Sequence, residues 1–459
     1  MDERIKKALI EIVGEERFSD ALIDMVSYSS DASEHSQRPL CAVWPASTGE
    51  IIALVKLANA EKIPLIPRGA GTGLSGMAVP QKGGVVLDMA RMNSIIEINI
   101  EDRVAVVQPG VVYATLEKAL APRGFVFPPD PASGKAATLG GNVATNAGGV
   151  KGAKYGTTKD YVLGLQVVLG DGRVMRTGTR AIKSSSGYDL THLFVGSEGT
   201  LGIVTEIILK IAPKPPKAAT ATAIFDDLSD AGKAVTQIMS SGIIPSVLEI
   251  LGRETIQAIN QSTDLNLPEV DAMLLAETDG YTQTECEFQI AKVIEVFKAN
   301  HAREVKQATD PVEVAELWKA RKSCYPVLAR LRPNFALEDI TVPMSKVADM
   351  LKGVADIARK HNVQIASFGH AGDGNLHPQI LYDARDHAEK ERVEAAAGDL
   401  FKLAISLGGT LTGEHGIGLS KAAYMTLEHD PVAMDSMRAI KRLFDPNNIL
   451  NPGKMALDA

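Results

Sequence analysis

Apolar residues at helical spacing open the chain. Ile5, Leu9, Ile12 and Val13 recur through the charged stretch MDERIKKALIEIVGEE, and the spacing predicts a helix over residues 3–13. A second helix is expected over 48–59, where a Ser/Thr start is followed by Glu50. Short apolar runs bounded by turn signals then predict strands at 64–67, 85–87, 94–99 and 104–108, and a helix at 115–121. Strands resume at 162–169 and 203–211. The PKPPK stretch at 213–217 cannot extend a central strand, because proline offers no N–H and its φ is locked. A domain boundary is expected there. Beyond it, helices at 229–241 and 285–300 alternate with strands at 221–225, 246–250 and 272–278. A strand-rich stretch at 364–381 precedes a helix at 388–407 that Gly408 and Gly409 terminate. The pattern reads as α+β, with helices covering one face of an antiparallel sheet. The expected division is 1–216, 217–442, and a turn-forming tail at 443–459 that packs back on the first domain.

A chain of 459 residues is too long for one ordinary core. Hydrophobic content of 45% and a mean hydropathy of +0.02 supply material for more than one. The net charge of −8 and the lack of any Lys/Arg run argue against nucleic acid as a partner. Cys41, Cys286 and Cys324 are far apart and form no CxxC pair, which disfavours a disulfide framework, a zinc ribbon and an iron–sulfur site. The charged N-terminus lacks the apolar stretch of a signal peptide, and no apolar run reaches membrane-spanning length. A cytoplasmic protein is expected, peripheral to a membrane at most through a partner.

The forty glycines are clustered rather than spread. Gly71-Thr72-Gly73-Leu74-Ser75-Gly76 matches the letters GxGxxG, but a Rossmann turn needs a helix next, to hold the pyrophosphate. Here Pro80 and Gly83-Gly84 precede the strand VVLDM and leave no room for one. Residues 68–73 instead join two strands with few side chains and expose successive N–H groups, a nest for an anion such as a diphosphate. The alternative is a ligand-free glycine turn. A second small-residue run at 133–149 weighs against it, since two such stretches suit a large planar cofactor laid along the backbone.

In order and spacing, PRGAGTGLSG, PGV at 109–111, PPDPASGKAATLGGNVATNAGG, KYGTTKDYVLGL and GSEGTLGIVTE resemble the FAD-binding domain of the vanillyl-alcohol oxidase and p-cresol methylhydroxylase superfamily. The resemblance implies an FAD-binding domain of two subdomains, followed by an antiparallel-sheet substrate (cap) domain. It places the FAD diphosphate on Arg68, Gly69, Ala70, Gly71, Thr72, Gly73, Leu74 and Ser75. Pro129, Asp130 and Ser133, and then Thr138, Gly140, Gly141, Asn142, Thr145, Asn146, Gly148 and Gly149, would line the flavin. Gly199, Gly202, Ile203 and Val204 would lie on the adenine side. Pro109, Gly110, Tyr155, Gly156, Glu198 and Asn451 are further implied cofactor contacts. Some relatives attach FAD through a histidine in the diphosphate loop. This loop has none, so FAD is expected to be non-covalent.

A second constellation is Gly369-His370-Ala371-Gly372-Asp373-Gly374-Asn375-Leu376-His377. Asp-Gly between strand-like flanks signals a two-residue hairpin turn, which sets His370 directly opposite His377. Opposed residues share a face with Cβ atoms about 4.5–5.5 Å apart, close enough for two imidazoles on one metal. Asp373, as a turn residue, is expected to point away. Glu414, within GEHGIG, would complete a His₂Glu site with an open position for substrate. The bland reading makes each histidine a hydrogen-bonded structural residue. FGHAGDGNLH, GGTLTGEHGIG and FDPNNILNPGK resemble the marks of the glycolate oxidase flavoprotein subunit, the FAD-type D-lactate dehydrogenases and the D-2-hydroxyglutarate dehydrogenases. That resemblance makes His370, His377 and Glu414 ligands of a divalent metal (zinc, manganese or iron) and His415 the general base.

The activity so implied is FAD-dependent oxidation of a small D-2-hydroxy acid, glycolate or D-lactate, to the 2-keto acid, by proton abstraction and hydride transfer to flavin. A substrate carboxylate wants a bidentate cation. Arg321 in LWKARK is that clamp by resemblance, and a solvated basic helix face is the alternative. Relatives that take dicarboxylates carry a lysine just before an Asp-x-Ser/Thr-x-Pro element. Here Leu337 stands near Asp339-Ile340-Thr341-Val342-Pro343, which favours glycolate or D-lactate over D-2-hydroxyglutarate. A metallohydrolase would leave the glycine runs unexplained, and a non-catalytic FAD-holding subunit of an electron-transfer complex would not need the histidines. Quinone, oxygen, an iron–sulfur partner subunit and an electron-transfer flavoprotein are all open as electron acceptors.

Overall fold

The computed structural model describes residues 1–458, which form two compact units. The first comprises Met1–Gly148, Thr157–Lys214 and the chain from Glu414 onward; the second comprises Gly149–Gly156 and Pro215–Gly413. The switch at Lys214 falls inside the proline-rich stretch.

The first unit holds two main sheets. In one, the strands run in the order Phe18–Ser19, Cys41–Val43, Val85–Asp88 and Leu65–Arg68, and the last three are parallel. Its core takes Leu9 and Val13 from the helix Glu3–Val13 and Ile51, Leu54 and Val55 from the helix Thr48–Glu61. Ser47 caps the second helix by accepting from the Glu50 N–H at 3.2 Å. The other sheet is antiparallel, in the order Ile95–Asn99, Val104–Val107, Ile203–Lys210, Val162–Val168 and Val174–Gly178. The small-residue run hides one element that pattern does not reveal, a helix over Leu139–Thr145 capped by Thr138.

The tail rejoins this unit at Glu414, not at the expected 443. Local bonds explain the earlier return. The buried Glu198 carboxylate accepts from the N–H groups of Ile417 (2.7 Å) and Gly418 (2.9 Å), and His35 Nε2 meets Ser420 Oγ at 3.0 Å. Farther on, Leu65 donates its N–H to the Ile449 carbonyl at 2.7 Å.

The second unit is built on one antiparallel sheet. Its strands run Glu304–Gln307, Lys217–Phe225, Ala272–Gly280, Val247–Gly252, Gln364–His370, Asn375–Tyr382 and Asn334–Leu337, with Ile340–Thr341 also paired to Asn375–Tyr382. Leu248, Ile250, Leu274, Ala276, Leu376 and Ile380 are buried on one face. The helix Gln283–Ala299 packs there, tied by Thr278 Oγ1 donating to the Cys286 carbonyl at 3.0 Å. The other face is mixed. Ile224, Met273, Leu251 and Phe368 cluster with the helices Arg253–Ser262 and Pro311–Leu331, so helices lie on both faces rather than on one. Farther along that second face stand Glu249, His370, His377 and Gln379, all buried. Among the described residues no helix is long and apolar enough to cross a membrane.

Candidate active site

In the first unit, the loop from Gly69 to Gly84 connects the parallel strands Leu65–Arg68 and Val85–Asp88 with no intervening helix, as expected. Gly71 has φ +69°, a left-handed value that glycine adopts without strain. A Cβ on Gly69 would collide with the Thr138 hydroxyl, and one on Gly140 would lie 2.5 Å from Pro109 Cβ. The absence of a Cβ thus lets Gly69 pack on the Thr138 hydroxyl and Gly140 on Pro109. Arg68 is held at the edge of the loop: its Nη1 donates to the Ser30 carbonyl at 2.8 Å and its guanidinium carbon lies 5.4 Å from the Tyr28 ring centre. Asn142 is 3% exposed, and its Nδ2 makes no hydrogen bond among the described residues. Burying such a donor without an acceptor costs roughly 1–3 kcal/mol, so the position calls for an outside partner.

Other predicted cofactor residues brace the loop that begins at Glu414. Ser75 Oγ donates to the carbonyls of His415 (3.2 Å) and Gly416 (2.9 Å). Asn451 Nδ2 donates to the carbonyls of Glu198 (2.7 Å) and Met77 (2.9 Å). Burial pushes the Glu198 carboxyl up to about 7 despite its two N–H donors. A Cβ on Gly148 would lie 2.8 Å from Glu414 Oε2, so the end of the small-residue run is where this carboxylate packs.

In the second unit, the turn between the two histidines differs from expectation. Four residues, Ala371–Gly374, make the turn, so His370 pairs with Asn375 and His377 pairs with Phe368. Asp373 Oδ1 accepts from the Asn375 N–H at 3.2 Å, and this local bond favours the longer turn. The register is displaced by two residues. Side chains alternate with period two, so both imidazoles keep one face, and their ring centres lie 5.1 Å apart.

Each histidine has a buried carboxylate behind it. His370 Nδ1 donates to Glu249 Oε1 at 2.5 Å, and the other oxygen of Glu249 accepts from Arg321 Nε. Burial alone would push the Glu249 carboxyl up. The adjacent Arg321 guanidinium, and then the His370 ring that donates to it, outweigh burial and hold it below its ordinary value. Arg321 also lies over the Phe368 ring, at 4.8 Å from its centre. Asp339 Oδ1 stands 3.7 Å from His377 Nδ1. Its other oxygen accepts from Thr412 Oγ1 (2.5 Å) and the Gly413 N–H (2.9 Å), and so fixes the chain one peptide bond before Glu414. Of the cofactor residues expected near the flavin, Gly149, Tyr155 and Gly156 belong to this unit, with Tyr155 donating to Asp279 Oδ2 at 2.7 Å.

Residues 39–178 match the family described as FAD binding domain, and residues 214–455 match FAD linked oxidases, C-terminal domain. The chain belongs to the FAD-linked oxidases. It is an FAD-dependent oxidoreductase, 44% identical to "Glycolate oxidase subunit GlcD" of Bacillus subtilis over 98% of this chain and 96% of that one. It is also 36% identical to "D-lactate dehydrogenase" of Anaerostipes hadrus over 97% and 94% of the two chains. Its fold is that of p-cresol methylhydroxylase, whose substrate-bound crystal structure superposes with a TM-score of 0.82 at 21% identity, covering 99% of this chain and 97% of that one.

The cradle of this FAD-linked oxidase fits its cofactor. Gly69 and Gly140 have no space for a Cβ, Gly71 takes a left-handed φ of +69°, and the Asn142 amide makes no hydrogen bond among the described residues. The donor set suits a divalent metal too, because histidines backed by carboxylates are the usual arrangement at such centres. Within the second unit the structure brings together His370, His377 and Arg321; Glu414 and His415 follow Gly413 directly in the chain. Sequence reasoning missed Glu249 and Gln379. The signal for Glu249 was a lone carboxylate in the otherwise apolar strand VLEILG. Gln379 shares the face of His377, is fully buried, and has neither Nε2 nor Oε1 in a hydrogen bond among the described residues.

Proposed function

We propose that this FAD-linked oxidase converts glycolate or D-lactate to the corresponding 2-keto acid, with His370, His377 and Glu414 holding a divalent metal. The observation that carries the reading is one buried carboxylate, Glu249, engaging both an imidazole and a guanidinium on the same sheet face. The names of the two relatives above support the choice of substrate. Arg321 binds the substrate carboxylate, and its place over the Phe368 ring restricts the guanidinium. Gln379 offers a donor and an acceptor to a small polar molecule. A ring nitrogen of His415 takes the hydroxyl proton as the C2–H bond breaks. When bound, the metal supplies a lower hydroxyl pKa and the flavin supplies the acceptor for the hydride.

Leu337 pairs with Gln379 in the neighbouring strand, so a second carboxylate there would meet an apolar side chain, against D-2-hydroxyglutarate. Two relatives are named as subunits, which supports a protein partner that removes the electrons. Anaerobic mixing of the yellow holoprotein with glycolate, D-lactate or D-2-hydroxyglutarate tests the reading. Bleaching by either of the first two is expected. Bleaching by none would leave an FAD-holding subunit, and a flavin-free preparation would refute the assignment.

A further inference from the structure

Glu249 lies 72 residues before Arg321 and 121 before His370, yet meets both. Its side chain is 0% exposed, against 7% for His370 and 15% for Arg321. A carboxylate only accepts hydrogen bonds. The His370 ring must therefore carry its proton on Nδ1, and in the neutral ring Nε2 keeps the lone pair that a cation needs. The second oxygen takes the Nε–H of Arg321, one of the five N–H donors of the guanidinium. The Phe368 ring, 4.8 Å from the guanidinium carbon, restrains the group from a second side.

We propose that Glu249 is a positioning residue that serves two functions through one carboxylate, setting the tautomer and aim of His370 for a divalent cation and the plane of Arg321 for a substrate carboxylate. The inference rests on the reading of His370 as a metal ligand and Arg321 as the clamp. It adds a coupling: cation affinity and substrate affinity depend on the same buried group, although Glu249 contacts neither cation nor substrate.

The test uses holoprotein with zinc ion as the probe, titrated against a chromophoric chelator, alongside steady-state kinetics with glycolate and D-lactate. Glu249→Gln keeps the shape but cannot accept from both partners at once, because its amide nitrogen is a donor. Zinc affinity is expected to fall about 10–100-fold, as for other carboxylates behind metal-binding histidines. The KM for the hydroxy acid is expected to rise together with it, while FAD content stays at the parental level. Glu249→Gln leaves the Arg321 charge buried without its carboxylate, so Glu249→Gln with Arg321→Met is the companion variant. It removes that charge and should still show the weakened zinc affinity. His370→Ala separates the layers of the argument. Wild-type protein that takes up no zinc, or His370→Ala that takes it up as before, would remove the metal reading and this inference with it. Zinc uptake lost in His370→Ala but unchanged in both Glu249 variants would overturn the inference alone.

Discussion

Glu198 stands where a pH dependence of stability should be measurable. The residue has φ +54°, is buried, and uses its carboxylate to hold the Ile417 and Gly418 N–H groups. Burial raises its pKa from an ordinary 4.5 to about 7. A carboxyl that binds its proton more tightly when folded gives the folded state more bound protons between those two values. Stability then falls as pH rises through that window and levels off above it. At 1.36 kcal/mol per tenfold change in proton affinity, the whole effect is on the order of 3 kcal/mol. Glu198→Gln keeps an oxygen acceptor but cannot ionise. The stability of this variant minus that of the parent should therefore rise by about that amount between pH 4.5 and pH 8. Urea unfolding with FAD in fixed excess, followed by the fluorescence of released flavin, reads the difference. A difference that stays flat with pH, or that shifts toward the parent at high pH, would refute the reasoning.

The remaining predictions concern the site. His415→Ala should lose at least about 100-fold in kcat while keeping its bound flavin spectrum, and a full rate would remove His415 from the chemistry. Arg321→Lys keeps the charge but loses the planar fork, so KM for D-lactate should rise roughly 10-fold or more, read from initial rates with a dye acceptor. Gly140→Ala should abolish FAD retention on gel filtration, because the added Cβ would lie 2.5 Å from Pro109 Cβ and 2.9 Å from its carbonyl oxygen. Dialysis against a strong chelator should suppress turnover without releasing FAD, and zinc or manganese should restore it; activity that survives dialysis would exclude a metal from the mechanism.

Local pattern revealed some of this site and could not have revealed the rest. The shared face of His370 and His377 was legible, because alternation along a strand survives any displacement by two residues. Their register was not, since Asp-Gly signals a two-residue turn and nothing nearby announces the bond from Asn375 N–H to Asp373 that supports a four-residue one. The helix Leu139–Thr145 escaped notice because LGGNVAT has poor helix propensity. A Thr138 cap and contacts with Pro109 hold it in place. Glu249 was invisible for another reason: its partners are 72 and 121 residues away, and no short window contains them. The return of the chain at Glu414 depends in the same way on Glu198, more than 200 residues earlier.

The order of segments has a consequence for biosynthesis. The first unit needs Leu450, which pairs beside Leu65 in its core, yet the second unit's 199-residue segment Pro215–Gly413 is made before that residue exists. At 5–20 residues per second, translation of that segment takes roughly 10–40 s. During that interval Leu65 and its neighbours must wait on the ribosome without their last strand-like partner, and the later unit can finish folding first. A gene truncated after Lys214 would leave that apolar gap permanently open, so such a fragment should aggregate rather than fold as an independent flavin carrier.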